Sequence, residues 1–169
     1  ICDHLHISIQ SGSDFILKKM NRAHGTHEII QARQRAKKVR PQTAITCDII
    51  VGFPGETKAH FHESMDLVQE LQLAKLHVFP FSPRKGTRAA TMVPQISEIE
   101  KKERARKLRT LGDKLRSDFI ASQIGQCHEV LFEHDQTGLT TNFIRVHRPD
   151  VLENTLEKIT LSTENIAEG

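Results

Sequence analysis

Tryptophan and tyrosine are absent from this 169-residue chain, and only three cysteines occur. Cys2, Cys47 and Cys127 are too far apart for any Cys-x-x-Cys spacing, which excludes a zinc ribbon or a locally encoded iron–sulfur site. An odd, sparse set of thiols also excludes a disulfide framework. It suits a reducing, cytoplasmic compartment, with the three read as ordinary core residues. No apolar run approaches the roughly 20 residues of a membrane span, and no signal-peptide pattern follows Ile1. A first residue other than Met points to processing or to an excerpt of a longer protein. The chain is too short for a complete eight-fold α/β barrel of about 250 residues, yet long enough to bury a core. With 37% hydrophobic and 27% charged residues it reads as globular rather than disordered, as one domain or one with a small appendage.

Charge is present in both signs but unevenly placed. Residues 1–124 carry 21 Lys and Arg against 13 Asp and Glu, a balance of +8, whereas residues 125–169 carry 3 against 8, a balance of −5. The densest basic stretch is Lys101 to Arg116, with eight basic residues against Glu103 and Asp113. That density suits a polyanion such as RNA, and equally a solvated helix face.

Residues 1–124 read as strand then helix three times over. Residues 5–10 alternate apolar and polar as a strand, and Ser11-Gly12-Ser13 breaks it. Ser13 opens a short helix and Thr26 a second, with Ile29, Ile30, Ala36 and Val39 inward and Pro41 as the stop. The β-branched run 44–51 suits a strand covered on both faces. Thr57 then opens a helix with Phe61, Met65, Val68 and Leu71 on one stripe. A third strand reads at 75–81. Ser97 with Glu100 forms a capping box for a helix carrying Leu108, Leu111, Leu115 and Phe119. This is a parallel α/β pattern with its functional loops at the carboxyl ends of the strands. After Gly125 the texture changes to short β-like runs at 127–133, 137–146 and 155–161, a small all-β unit read as a miniature barrel.

The loops after the three strands hold the residues that could carry chemistry. Gln10-Ser11-Gly12-Ser13 presents hydroxyls and amides at a strand-to-helix junction, though Ser-Gly-Ser is also ordinary turn chemistry. Asp48 sits inside an apolar strand, where an unpaired carboxylate is costly, so a fixed partner is expected. Gly52-Phe53-Pro54-Gly55 lets backbone approach a flat ligand or a strand end. Arg84 and Lys85, beside Pro83, suit a carboxylate or phosphate, or a plain solvated loop. His4 and His6 share one strand face but have no third partner for a metal, and no Ser-His-Asp or Cys-His arrangement follows from spacing.

Taken in order, four segments carry a family resemblance: His4–Ser13, Lys18-Lys19-Met20-Asn21-Arg22, Asp48–Thr57, and Phe81–Ala90 with its Ser82-Pro83-Arg84-Lys85-Gly86-Thr87. Together they resemble the second half of a radical SAM methylthiotransferase. The wording of residues 77–87 is most similar to the branch acting on N6-threonylcarbamoyladenosine in tRNA. Residues 129–133, 138–146 and 156–159 resemble the TRAM domain, a small β-barrel that contacts RNA.

The resemblance implies three βα units of a partial (β/α)6 barrel over 1–124, followed by a TRAM-like barrel over 125–169. It implies an enzyme that uses S-adenosylmethionine and 4Fe-4S clusters to add a methylthio group to C2 of the adenosine next to the anticodon of tRNA. The anticodon stem-loop is then the partner, with no membrane. By matching position, Gln10, Ser11 and Asp48 would contact S-adenosylmethionine, Gly52, Pro54 and Glu56 would shape its adenine side, and Arg22 and Arg84 would hold anionic groups. Lys101, Lys102, Arg104 and Arg106 are the expected RNA-holding residues. The family's cluster-binding cysteine loop matches none of Cys2, Cys47 and Cys127. It is expected upstream of Ile1, leaving the isolated chain inactive and its first strand with an exposed edge. Neighbouring readings are a methylthiotransferase for isopentenyl-adenosine or for a ribosomal-protein Asp, and a non-catalytic RNA-binding module.

Overall fold

The computed structural model describes residues 2–167. Its first half is a three-stranded parallel sheet built from β1 (His4–Gln10), β2 (Ala44–Val51) and β3 (Lys75–Pro80), in that spatial order. The register runs His6↔Thr46↔Lys75, then Asp48↔His77 and Ile50↔Phe79, so those side chains share one face. The opposite face carries Ile9, Cys47, Ile49, Val51 and Val78. It is covered by α2 (Thr26–Val39), α3 (Lys58–Leu71) and α5 (Glu98–Gln123) in one core cluster with Phe61, Val68, Leu71, Leu108 and Leu115. Short helices α1 (Asp14–Lys19) and α4 (Arg88–Thr91) follow the first and third strands. The alternating βα order thus produces the parallel sheet expected, with β2 the most covered strand because it has a neighbour on each side.

Local signals act with three corrections. Thr57 Oγ1 accepts from His60 N at 3.3 Å and Ser97 Oγ from Glu100 N at 3.2 Å, as the sequence suggests. The Glu100 carboxylate, however, does not return to the cap; it pairs with Arg104. Helix α2 begins at Thr26 itself, with Gly25 as N-cap and its amide donating to Glu28 Oε2 at 2.9 Å. Val39, expected inward, is 79% exposed as the last residue of α2. Helix α5 lies close on β3 at Gly112, where an added Cβ would stand 3.0 Å from Leu76 Cβ.

The second half is a four-stranded antiparallel sheet of β4 (Cys127–Phe132), β5 (Thr137–Thr140), β6 (Arg145–His147) and β7 (Thr155–Thr160), in the order β6-β5-β4-β7. A single bridge, Val146↔Ile166, extends it. Closure into a barrel is not seen among the described residues. The run 137–146 is not one strand: Phe143 takes φ +65°, and Thr140 Oγ1 accepts from Ile144 N at 2.8 Å, turning the chain between β5 and β6. Val130, Phe132, Ile144, Val146, Ile159 and Leu161 pack under this sheet together with Phe119 of α5 and with Ala44 and Ala74. Helix α5 therefore contributes to both cores. Asn142 Nδ2 donates to Gln123 Oε1 at 2.9 Å, and the Phe143 ring lies 4.1 Å from that of His4, which joins the halves.

Candidate functional site at the strand ends

The carboxyl ends of β1, β2 and β3 open into a cleft of about 510 Å³. Gln10 at the end of β1, forced to φ +73°, lines it together with Ile50 and Phe53 from the second strand and its turn, and Phe81 after the third. The Phe53 and Phe81 rings meet edge to face, with centroids 5.2 Å apart, making an apolar wall. Lys19, Arg22 and Arg88 stand around it, and among the described residues no acidic one lines the cleft. Arg22 and Arg88 have no carboxylate partner among the described residues. A volume of this order suits a nucleoside-sized ligand, and the unpaired guanidinium groups suit one bearing an anionic group.

The turn after β2 is held from behind. Gly52, at φ +73°, donates its N–H to Glu56 Oε2 at 2.7 Å. Any side chain at Gly52 would run into the stem of Lys101. Glu56 is buried and ion-paired with Arg104. Burial pushes its carboxyl above the ordinary glutamate range, opposed by the Gly52 N–H and the Arg104 guanidinium. Pro54 is buried, and Gly55 N donates to Pro94 O at 2.9 Å, which pins the segment after α4 to the same turn.

The residues expected from sequence therefore separate. Gln10 and Arg22 reach the cleft. Ser11 does not: it is fully buried, and its Oγ accepts from Ser13 N at 3.2 Å, so its hydroxyl closes the turn. Gly52, Pro54 and Glu56 form the support of the turn rather than the cleft lining. Arg84 is exposed and lies outside the cleft lining; Arg88, which sequence reading passed over, takes the place beside Arg22. Asp48 lies on the sheet face turned away from the helices, and its expected partner is His6, with Nε2 to Oδ2 at 3.2 Å.

Two of the four expected RNA-holding residues are corrected by burial. Lys101 is 2% and Arg104 5% exposed. Lys101 packs over the Phe81 ring, 5.4 Å from its centroid, and pairs with Glu98 at 2.8 Å. Arg104 lies over Phe61 and holds Glu56 and Glu100. Neither presents charge to an RNA. Lys102 and Arg106 are exposed on the outer side of the helix.

Among the described residues no three of His, Cys, Asp or Glu stand together as a metal-binding group, so they offer no ligand set for an iron–sulfur cluster. Cys47 faces the helix-covered core, where burial, with some help from Asp48, pushes its thiol pKa far up. No described helix is long and apolar enough to cross a membrane.

A parallel sheet with its cleft at the strand ends defines an α/β ligand-binding fold. Residues 1–68 match the family described as the Radical SAM superfamily. The fold agrees with that of coproporphyrinogen III oxidase (HemN) from Escherichia coli, a radical SAM enzyme, at a TM-score of 0.57 and 19% identity, over 67% of this chain and 27% of that one. The chain is also similar to tRNA methylthiotransferases. It is 44% identical over 146 residues to the threonylcarbamoyladenosine tRNA methylthiotransferase MtaB of Rickettsia prowazekii (86% of this chain, 34% of that protein). To MtaB of Bacillus subtilis it is 37% identical over 155 residues (86% and 34%). To the tRNA-2-methylthio-N(6)-dimethylallyladenosine synthase of Pelotomaculum thermopropionicum it is 39% identical over 136 residues (80% and 30%). The chain spans about a third of the length of these relatives.

Proposed function

We propose that this chain is the carboxyl-terminal part of a tRNA methylthiotransferase that places a methylthio group on C2 of N6-threonylcarbamoyladenosine next to the anticodon, in the cytoplasm. In this reading residues 1–124 are half of a radical SAM barrel and residues 125–169 a TRAM-like RNA-contacting unit. The strand-end cleft would hold S-adenosylmethionine, which together with a 4Fe-4S cluster held elsewhere would supply the radical chemistry. Gln10 binds its polar part, Phe53 and Phe81 exclude water from its flat part, and Arg22 holds its carboxylate. Lys102 and Arg106 hold the phosphates of the anticodon stem-loop.

The observation that carries the substrate choice is the cleft's charge. Lys19, Arg22 and Arg88 line it without an acid. With Arg22 on the carboxylate of S-adenosylmethionine, Arg88 is left for the substrate: a threonylcarbamoyl group brings a carboxylate that this guanidinium can grip, whereas a dimethylallyl group brings only hydrocarbon and would leave it unpaired. The test is anaerobic reconstitution of the uninterrupted gene product, offered tRNA carrying either modified adenosine. Methylthiolation of the threonylcarbamoyl tRNA is the expected result. Preference for the dimethylallyl tRNA overturns the substrate choice, and no reaction with either overturns the activity.

A further inference from the structure

The face of the parallel sheet turned away from the helices carries a continuous chain of polar side chains. His4 Nε2 and His6 Nδ1 each lie 2.9 Å from the one hydroxyl of Thr46, and His6 Nε2 lies 3.2 Å from Asp48 Oδ2. The register makes this possible, because His6 stands beside Thr46 on the neighbouring strand and Asp48 is two residues further along it. Thr46 is buried, and Asp48 and His4 are half-buried. Asp48 Oδ1 has no hydrogen-bond partner among the described residues.

Hydrogen-bond counting fixes the direction of the chain. An ionised carboxylate only accepts, so neutral His6 must carry its proton on Nε2. His6 Nδ1 is then an acceptor, and the only donor in reach among the described residues is the Thr46 hydroxyl. That hydroxyl has one proton, so its other contact must be accepted from His4, whose proton is therefore also on Nε2. Burial, with the neighbouring His6 in support, lowers the His4 pKa and keeps that ring neutral, as the chain requires. The other groups facing His6 on this side are His77, with ring centroids 6.1 Å apart, and Lys75 on β3. Neither is hydrogen-bonded into the chain.

We propose that His6 is a positioning residue: Asp48 stands two residues before the cleft-lining Ile50 on the same face of β2, and the directed chain His4 to Thr46 to His6 to Asp48 fixes its carboxylate through Oδ2, leaving Oδ1 as the acceptor for a ligand's ammonium or hydroxyl group. This rests on the reading of the strand-end cleft as a ligand site. His6 touches no ligand itself; it sets the orientation of the residue that does. A hydrogen bond to a charged acceptor is strong enough to bias a tautomer pair by about tenfold or more.

The test uses the ¹⁵N-labelled 169-residue chain and long-range ¹H–¹⁵N correlations of its imidazole rings at about pH 8, above the ordinary histidine pKa. His4 and His6 should both be Nε2–H, by at least about tenfold. Asp48→Ala should relax the His6 tautomer ratio and, through Thr46, shift the ring signals of His4. In a Thr46→Val background the same Asp48→Ala change should leave His4 unmoved, an outcome that loss of packing alone does not produce. An Nδ1–H tautomer at His6, or a His4 ring indifferent to Asp48 when Thr46 is present, overturns the proposal. A separate titration with S-adenosylhomocysteine should move the Asp48 amide signal in the wild-type chain and less in His6→Phe. If the tautomer results hold while Asp48 ignores this probe, the ligand reading fails and the directed chain stands without it.

Discussion

Arg104, on the long helix α5, reaches the buried carboxylate of Glu56 in the turn after β2, and the two pair almost wholly out of solvent. The same guanidinium donates to Glu56 O at 3.0 Å and also holds Glu100. Since α5 also enters the core under the antiparallel sheet through Phe119, one helix ties the cleft to the second half of the chain.

Arg104→Met should therefore be severe. It leaves the Glu56 carboxylate buried without its cation, and breaking one partner of such a pair costs about 3–5 kcal/mol. Denaturant unfolding measures it. The double variant Glu56→Gln with Arg104→Met should lose much less than the two single losses added together. A loss below about 1 kcal/mol in Arg104→Met would show that the pair carries little of the fold.

RNA affinity should follow exposure rather than charge count. Lys102→Ala and Arg106→Ala should each weaken binding to an anticodon stem-loop and lower the slope of log affinity against log salt by about 0.7–0.9. Lys101→Met should leave that slope where it is, because its ammonium is already spent on Glu98 and the Phe81 ring. An unchanged slope in the Lys102 and Arg106 variants would reject an RNA role for this face.

Thiol labelling should divide the cysteines two to one. Cys2 and Cys127 are exposed and should react with a maleimide within minutes, whereas buried Cys47, its thiol pKa pushed up by burial, should react only on unfolding. Three fast thiols in the native chain would contradict the packing of β2 against the helices.

Acid should loosen the junction of the two halves. Asp3 is hydrogen-bonded by Arg40 at 2.5 Å and by Thr141 Oγ1 at 3.2 Å, and Arg40 holds its carboxyl below the ordinary value of 3.8. A depressed carboxyl contributes stability above its unfolded value and loses it as pH falls through the lower folded value. The window therefore lies below about pH 4. Asp3→Asn should lose about 0.5 kcal/mol at neutral pH and show a flatter acid limb in unfolding measurements. Superimposable acid limbs in the two proteins would contradict it.

The sequence was most legible where burial and periodicity agree. The mostly apolar, β-branched run of β2 and the Phe61, Val68, Leu71 stripe of α3 both appear where expected. Lys101 and Arg104 were misread because charged side chains are usually solvated. The signal was nonetheless there: continuing the Phe119, Leu115, Leu108 stripe backwards by threes and fours lands on Ala105, Arg104 and Lys101. What draws them inward is long-range, the buried Glu56 and the Phe81 ring, and no local spacing reports it. The turn between β5 and β6 was hidden because Phe143 adopts a left-handed conformation that sequence reading reserves for Gly or Asn. Arg88 was missed because its place depends on how the segment after β3 folds back over the cleft.

We propose that the protein containing this chain methylthiolates threonylcarbamoyl-adenosine in tRNA. Mass spectrometry of nucleosides from tRNA of cells lacking its gene tests it most directly. The 2-methylthio form of N6-threonylcarbamoyladenosine should vanish, its unthiolated precursor should accumulate, and the dimethylallyl nucleosides should be unchanged. Persistence of the 2-methylthio-threonylcarbamoyl nucleoside would contradict the account, and loss of the dimethylallyl one in its place would assign the protein to the other substrate.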